Sequence, residues 1–139
     1  MRNIRKKLKY LLPVLLVLMF AGLILSRIYR PEPSNPEPEV QINASEAENH
    51  IGKAAKVCGK VASSEFLPQI KGKPTFLNLG RPYPNQFFTV VIWNDDRNRW
   101  RQSPKKLYAK QKICVIGVIE THKNIPQIIV KMPGQIELQ

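Results

Sequence analysis

Pro74-Thr75-Phe76-Leu77-Asn78-Leu79-Gly80-Arg81-Pro82-Tyr83-Pro84-Asn85-Gln86-Phe87-Phe88-Thr89-Val90-Val91-Ile92-Trp93 holds two short runs rich in apolar and β-branched residues, parted by a Gly/Pro/Asn loop. Such runs read as strands, Pro74–Leu79 and Gln86–Trp93. Lys56–Ala62 precedes them, with Gly59 in its middle, where a glycine suggests a bulge or a sharp coil. Lys112–Glu120 and Pro126–Lys131 follow as a fourth and a fifth strand. Asp95–Tyr108 lies between the third and the fourth. It is polar, with Trp100, Leu107 and Tyr108 as apolar anchors, and reads as a helical connection that Pro104 interrupts or restarts. Ser45-Glu46-Ala47-Glu48 reads as a helix start with Ser45 as N-cap, ending by Gly52.

Three strands, a helical connection and two strands is the order of the OB-fold, a five-stranded Greek-key barrel. A first strand coiled about a central glycine suits that barrel, because it serves both halves. A small sandwich or an SH3-like barrel is the alternative, and neither accounts for the long insert.

The N-terminal third is of another kind. Leu11–Leu25 is an apolar run broken only by Pro13 and Gly22, and Tyr10 and Ser26 extend it to 17 uncharged residues. As a helix this spans roughly 25 Å, a little short of the ~30 Å hydrocarbon core. Length alone therefore leaves two readings, a transmembrane anchor or a cleaved signal peptide. Five basic residues precede the run and two follow it, which places the N-terminus inside and the remainder outside in either case. Cleavage after Ser26 would put Ile24 at −3, and cleavage after Ala21 would put Met19 there; neither suits a signal peptidase, so the uncleaved anchor is preferred. Next comes Pro31-Glu32-Pro33-Ser34-Asn35-Pro36-Glu37-Pro38-Glu39, which favours extended polyproline II and acts as a stiff spacer of roughly 30 Å. The expected organisation is a basic flank over 1–9, an inner-membrane anchor over 10–28, a linker over 29–43 and an extracytoplasmic OB-fold domain over 44–139. Secretion after cleavage is the alternative.

The net charge of +12 is unevenly spread. Residues 44–139 hold fifteen Lys/Arg against seven Asp/Glu, a net of +8, which favours a polyanionic partner or else is simply a solvated basic surface. The catalytic inventory is thin. Asp95 and Asp96 read as a helix start rather than a metal pair, and His50 and His122 as surface residues. There is no nucleophile–base motif and no phosphate-binding glycine loop. The chain is read as a non-enzyme without metal or cofactor.

The run Pro74–Trp93, together with Val57-Cys58-Gly59-Lys60-Val61, Ile113-Cys114-Val115-Ile116-Gly117 and Pro126-Gln127-Ile128-Ile129, resembles small bacterial OB-fold proteins of the nucleic-acid-binding, tRNA-anticodon-binding-like type. The resemblance covers roughly 44–137 and implies the fold more than the function. One departure is His122-Lys123-Asn124-Ile125, which lacks the expected turn glycine, although Asn124 tolerates a left-handed conformation.

In an OB-fold the first and fourth strands pair, so Cys58 and Cys114 either face each other as a disulfide or are two separate small buried side chains. Single-strand binding uses aromatic platforms for bases and cations for phosphates, on the face of strands two and three with the adjoining loops. If Leu77, Leu79, Phe88, Val90 and Ile92 point inward, then Phe76, Asn78, Phe87, Thr89, Val91 and Trp93 point outward. The candidate set is Lys71, Lys73, Phe76, Asn78, Arg81, Tyr83, Phe87, Trp93 and Lys123, for single-stranded DNA or RNA. The competing reading packs these aromatics in the core or under a terminal segment or helix, with Phe87 and Trp93 covered by the Ser45 helix or by the rigid loop with Pro82 and Pro84, or uses the patch to bind a protein of an envelope complex. A second basic cluster, Arg97, Arg99, Arg101, Lys105, Lys106, Lys110 and Lys112, reads as a solvated helix face or as a contact for phosphates or lipid headgroups.

Overall fold

The computed structural model describes residues 2–28 and 35–139, and within the first stretch the side chains of residues 11–25. Residues 29–34, which carry part of the expected Pro/Glu linker, lie outside the described residues. The chain divides into two compact units, the second being Asn35–Gln139.

Helix α1 (Arg2–Ile28) carries the apolar run. Its large apolar residues between Leu11 and Leu25 are exposed, Val17 at 67% and Leu16 at 50% being the extremes. Among the described residues no helix is long and apolar enough to cross a membrane.

The second unit is mainly β, a mixed eight-stranded sheet rather than the five strands expected. The strands are β1 (Val40–Asn43), β2 (Ala54–Phe66), β3 (Thr75–Leu79), β4 (Phe88–Ile92), β5 (Lys112–Val118), β6 (Glu120–His122), β7 (Ile125–Ile129) and β8 (Ile136–Leu138). The five expected strands correspond to β2, β3, β4, β5 and β7. The other three are edge additions of three or four residues, too short for a local pattern to announce them. β1 uses the last residues of the expected linker, pairing parallel to β2 from Val40↔Ala55 to Asn43↔Cys58.

β2 organises the sheet. Its first half pairs antiparallel with β5, Ala54↔Val118 to Lys60↔Lys112. Its second half pairs with β3, Val61↔Leu79 to Phe66↔Thr75. The register shift lies between Val61 and Ser63, not at Gly59 as expected. Gly59 pairs normally with Ile113, and it is small for another reason: a Cβ there would stand 3.1 Å from Ala44 Cβ and 3.4 Å from Leu79 Cβ. β3 continues antiparallel to β4, and β4 lies parallel to β7. β5 also packs on β7, where a Cβ on Gly117 would come within 2.6 Å of Ile128 Cγ2. The order along the sheet is β6-β7-β4-β3-β2-β5-β8.

Alternation along the strands fills the interior with Val57, Val61, Leu77, Leu79, Phe88, Val90, Ile92, Ile113, Val115 and Ile128, each at most 1% exposed. A 3-10 helix over Ala44–His50 buries Ala44 and Ala47 against this core. Its N-cap is Asn43 rather than Ser45, with the Asn43 amide donating to Glu46 Oε2 at 2.9 Å. The insert after β4 is two single turns, α2 (Asn94–Arg97) and α3 (Pro104–Leu107), with Pro104 in the first turn of α3. Trp100 and Tyr108 are its buried anchors, Trp100 Nε1 donating to Tyr108 Oη at 3.1 Å. Burial raises the Tyr108 pKa above the ordinary phenol value, with the Trp100 hydrogen bond pulling the other way.

Candidate nucleic-acid interface

The outer face of β2, β3, β4 and β7 is set by register. Glu65, Phe76, Val91 and Ile129 form one row, and Ser63, Asn78, Thr89 and Gln127 the next. Phe76 sits half-buried in the middle of this face, as expected for an outward residue.

Asn78, expected outward and available, is only 2% exposed. Thr89 and Val91 are also buried, at 7% and 1%. On a strand five residues long with large neighbours on both sides, pointing outward does not mean reaching solvent. Val91 lies between Phe76 and Ile129, and Thr89 lies between Asn78 and Gln127. The polar members are tied into a ladder across three strands. Gln86 Nε2 donates to Thr89 Oγ1 at 3.4 Å, Thr89 Oγ1 donates to Asn78 Oδ1 at 3.2 Å, and Asn78 Nδ2 donates to Ser63 Oγ at 3.1 Å. The Tyr83 amide donates to the same Ser63 oxygen at 3.0 Å, which docks the β3–β4 loop on the ladder. Asn78 is thus a structural element of this face rather than a contact residue.

The remaining candidates fall at two opposite ends of it. Lys71 and Lys73 are exposed on the loop between β2 and β3. That loop is held compact by Leu67 N to Pro74 O, Lys73 N to Ile70 O and Asn94 N to Gly72 O bonds. Trp93 lies at the same end, and an added Cβ on Gly72 would stand 2.8 Å from its ring. Trp93 thus packs against Gly72 of the β2–β3 loop rather than under the loop with Pro82 and Pro84. At the far end stand Arg81, Tyr83 and Phe87. Phe87 packs against the core, and the Arg81 guanidinium sits 4.5 Å above its ring centroid, so that face of the ring is occupied. Tyr83 is 63% exposed. Lys123 belongs to this end too: Thr89 pairs with Gln127, which sets Ile125 level with Phe87, and Lys123 lies in the turn just before. Phe87 and Trp93 are six residues apart, roughly 20 Å along an extended chain, so Phe76, Phe87 and Trp93 are not one contiguous patch.

The hairpin turn between β6 and β7 joins His122 to Ile125 through Lys123 and Asn124, both at positive φ (49° and 64°). This is the geometry of a type I′ turn, formed without the glycine it prefers.

Sequence reading stopped the first strand at Ala62 and so missed Ser63, Glu65 and Phe66. Ser63-Ser64-Glu65 lacks apolar alternation, and only pairing with β3 makes it strand. It also missed Arg97 as a contact of Phe66, its guanidinium 5.4 Å from the ring centroid. In the second basic cluster, Arg99 is paired with Asp96 at 3.2 Å, and Lys112 stands opposite Lys60.

Cys58 and Cys114 are register partners and are joined as a disulfide, with Cα atoms 4.0 Å apart. They lie on the side of the sheet away from Val57 and Val115, Cys58 half-buried and Cys114 fully buried. Among the described residues no three His, Cys, Asp or Glu side chains stand close enough to hold a metal ion.

The domain is basic and mainly β, with an aromatic at the centre of one sheet face and exposed cations at both ends. No family model matches the chain. No curated protein matches it either. Among solved structures it is similar to a chain assigned as an aspartyl-tRNA synthetase from Leishmania major Friedlin, at 14% identity and a TM-score of 0.44. The match covers 79% of this chain and 22% of that one, so this chain spans about a fifth of its length. No function follows from a likeness of that size.

Proposed function

We propose that this chain is a membrane-anchored, non-catalytic binding module whose OB-type barrel holds single-stranded nucleic acid on the outer face of β2, β3, β4 and β7. The observation that carries the reading is the placement of Phe76. It is half-buried at the centre of the face, with Lys71 and Lys73 exposed at one end and Arg81, Tyr83 and Lys123 at the other. A strand crossing the face would stack a base on Phe76, and a second on Tyr83, while its phosphates meet the terminal cations. The connectivity favours the OB-type assignment: a three-stranded meander β2-β3-β4, β5 back on β2, and β7 parallel to β4.

The exposed apolar side chains of α1 support an anchor that needs an apolar medium around it. The cationic N-terminal flank supports an inside N-terminus, and the Cys58–Cys114 disulfide supports an oxidising, extracytoplasmic location for the domain. A protein partner of an envelope complex is the second reading, favoured by the 44% exposure of Ile70 beside the Trp93 end of the face.

The test is binding of the full chain, in neutral detergent, to a labelled single-stranded oligonucleotide across a salt series. The proposal expects micromolar binding that weakens linearly in log–log salt. It expects roughly tenfold loss on Phe76→Ala or Tyr83→Ala, given about 1–3 kcal/mol per stacked base. Absence of binding at low salt sinks it in favour of the protein partner.

A further inference from the structure

Lys60 and Lys112 are directly opposed in the antiparallel pairing of β2 with β5, on the outer side of the barrel wall, and both are exposed. Like charges placed directly across two strands oppose the pairing that holds them there. Elsewhere on the same wall the charges are complementary: Lys56, four residues before Lys60, is ion-paired with Glu137 of β8. Among the described residues neither Lys60 nor Lys112 has an acidic partner. Two residues along each strand, on the same side, lie Cys58 and Cys114, whose disulfide fixes the register against the repulsion. The two lysines border a groove of about 290 Å³ that also takes in Asn43, Cys58 and Gln139, whose backbone amide donates to Lys112 O.

Two cations clamped side by side at the mouth of a groove, with an amide side chain beside them, suit one shared oxyanion. We infer that the Lys60–Lys112 groove is a second phosphate site of the domain, one that takes a phosphodiester of a strand longer than the aromatic face holds; the inference rests on the nucleic-acid reading above. Its position fits such an extension. Lys60 lies five residues before Glu65 on β2, and Glu65 is the register partner of Phe76, which puts the groove roughly 16 Å along the same strand from the stacking residue. That exceeds the ~8 Å screening length at physiological salt, so the two places act on a bound strand separately.

The test compares labelled oligonucleotides of about 3 and about 20 nucleotides, below and above the roughly 4–16 nucleotides that one such barrel holds, with the full chain in neutral detergent at physiological salt. The variants are Lys112→Glu and Lys60→Gln. Lys112→Glu gives Lys60 an opposite charge to face, so its thermal midpoint rises while the phosphate site is lost. The expected result is roughly tenfold weaker binding of the long strand, with a salt slope smaller by about 1, and unchanged binding of the short one. Lys60→Gln gives the same pattern without the added acid. If both variants hold both strands as the wild type does, the second site is overturned and the proposed function stands. Equal loss for short and long strands also overturns it, since the lysines then act on the face as a whole. Wild-type protein that binds neither strand overturns the nucleic-acid reading itself, and this inference with it.

Discussion

Cys58 and Cys114 are directly opposed across β2 and β5, and their disulfide closes a loop of 56 residues in sequence separation. That loop contains β3, β4 and both short helices, so the bond ties together the strands between which the core is built. In the chain-entropy model a closure of this length contributes about 4 kcal/mol. Urea unfolding with and without reductant is expected to show a loss of that order on reduction. Protein isolated from the membrane fraction with two free thiols would argue against both the bond and an oxidising location.

Trp100 donates its indole N–H to Tyr108 in a buried setting. Tyr108→Phe keeps the ring and strands the donor, which costs about 1–3 kcal/mol. Thermal unfolding reads this directly. The raised Tyr108 pKa adds a pH signature. A phenol whose folded pKa lies above its unfolded value of about 10 binds its proton more tightly when folded. Its contribution is fully present below that value and is lost as pH rises through the folded pKa. Alkaline destabilisation above about pH 10 is therefore expected to be smaller in Tyr108→Phe than in the wild type, measured from each protein's own neutral baseline.

The ladder from Gln86 through Thr89 and Asn78 to Ser63 lies under the proposed binding face. Thr89→Val preserves shape but leaves Asn78 Oδ1 and Gln86 Nε2 without their partner. A loss of about 1–3 kcal/mol in unfolding free energy is expected. Thr89→Ser, which keeps the hydroxyl, is expected to recover most of it.

Lys123 and Asn124 both sit at positive φ in a two-residue hairpin turn. The double substitution Lys123→Asn with Asn124→Gly supplies the Asn-Gly pair that this turn prefers, and relieves a strain of about 1–2 kcal/mol at the lysine. The double variant is expected to unfold at a higher temperature. In the proposed function it also loses a phosphate contact, so oligonucleotide affinity falls while stability rises, and the two readouts move in opposite directions.

Much of this protein was legible without its tertiary structure. Hydrophobic alternation is a local property, and it located β3, β4, β5 and β7 to within a residue or two, with Leu77, Leu79, Phe88, Val90 and Ile92 inside. Composition marked off the apolar N-terminal run and assigned Trp100, Leu107 and Tyr108 as anchors of the insert. What local pattern cannot contain is pairing. Ser63-Ser64-Glu65 is strand because β3 lies beside it, and Val40–Asn43 is strand because β2 does. Asn78 and Val91 are outward yet buried because their neighbours across the sheet cover them. Phe87 and Trp93 share a side of one strand but stand at its opposite ends, one under Arg81 and the other against Gly72. Lys60 and Lys112, 52 residues apart in sequence, become neighbours only through the register of β2 and β5. The sequence by itself determined where β3, β4, β5 and β7 run and which of their apolar side chains turn inward, since both follow from a two-residue period. Only the tertiary structure decided which side chains meet, because contact between distant segments depends on pairing and register, and those are set by the whole core at once.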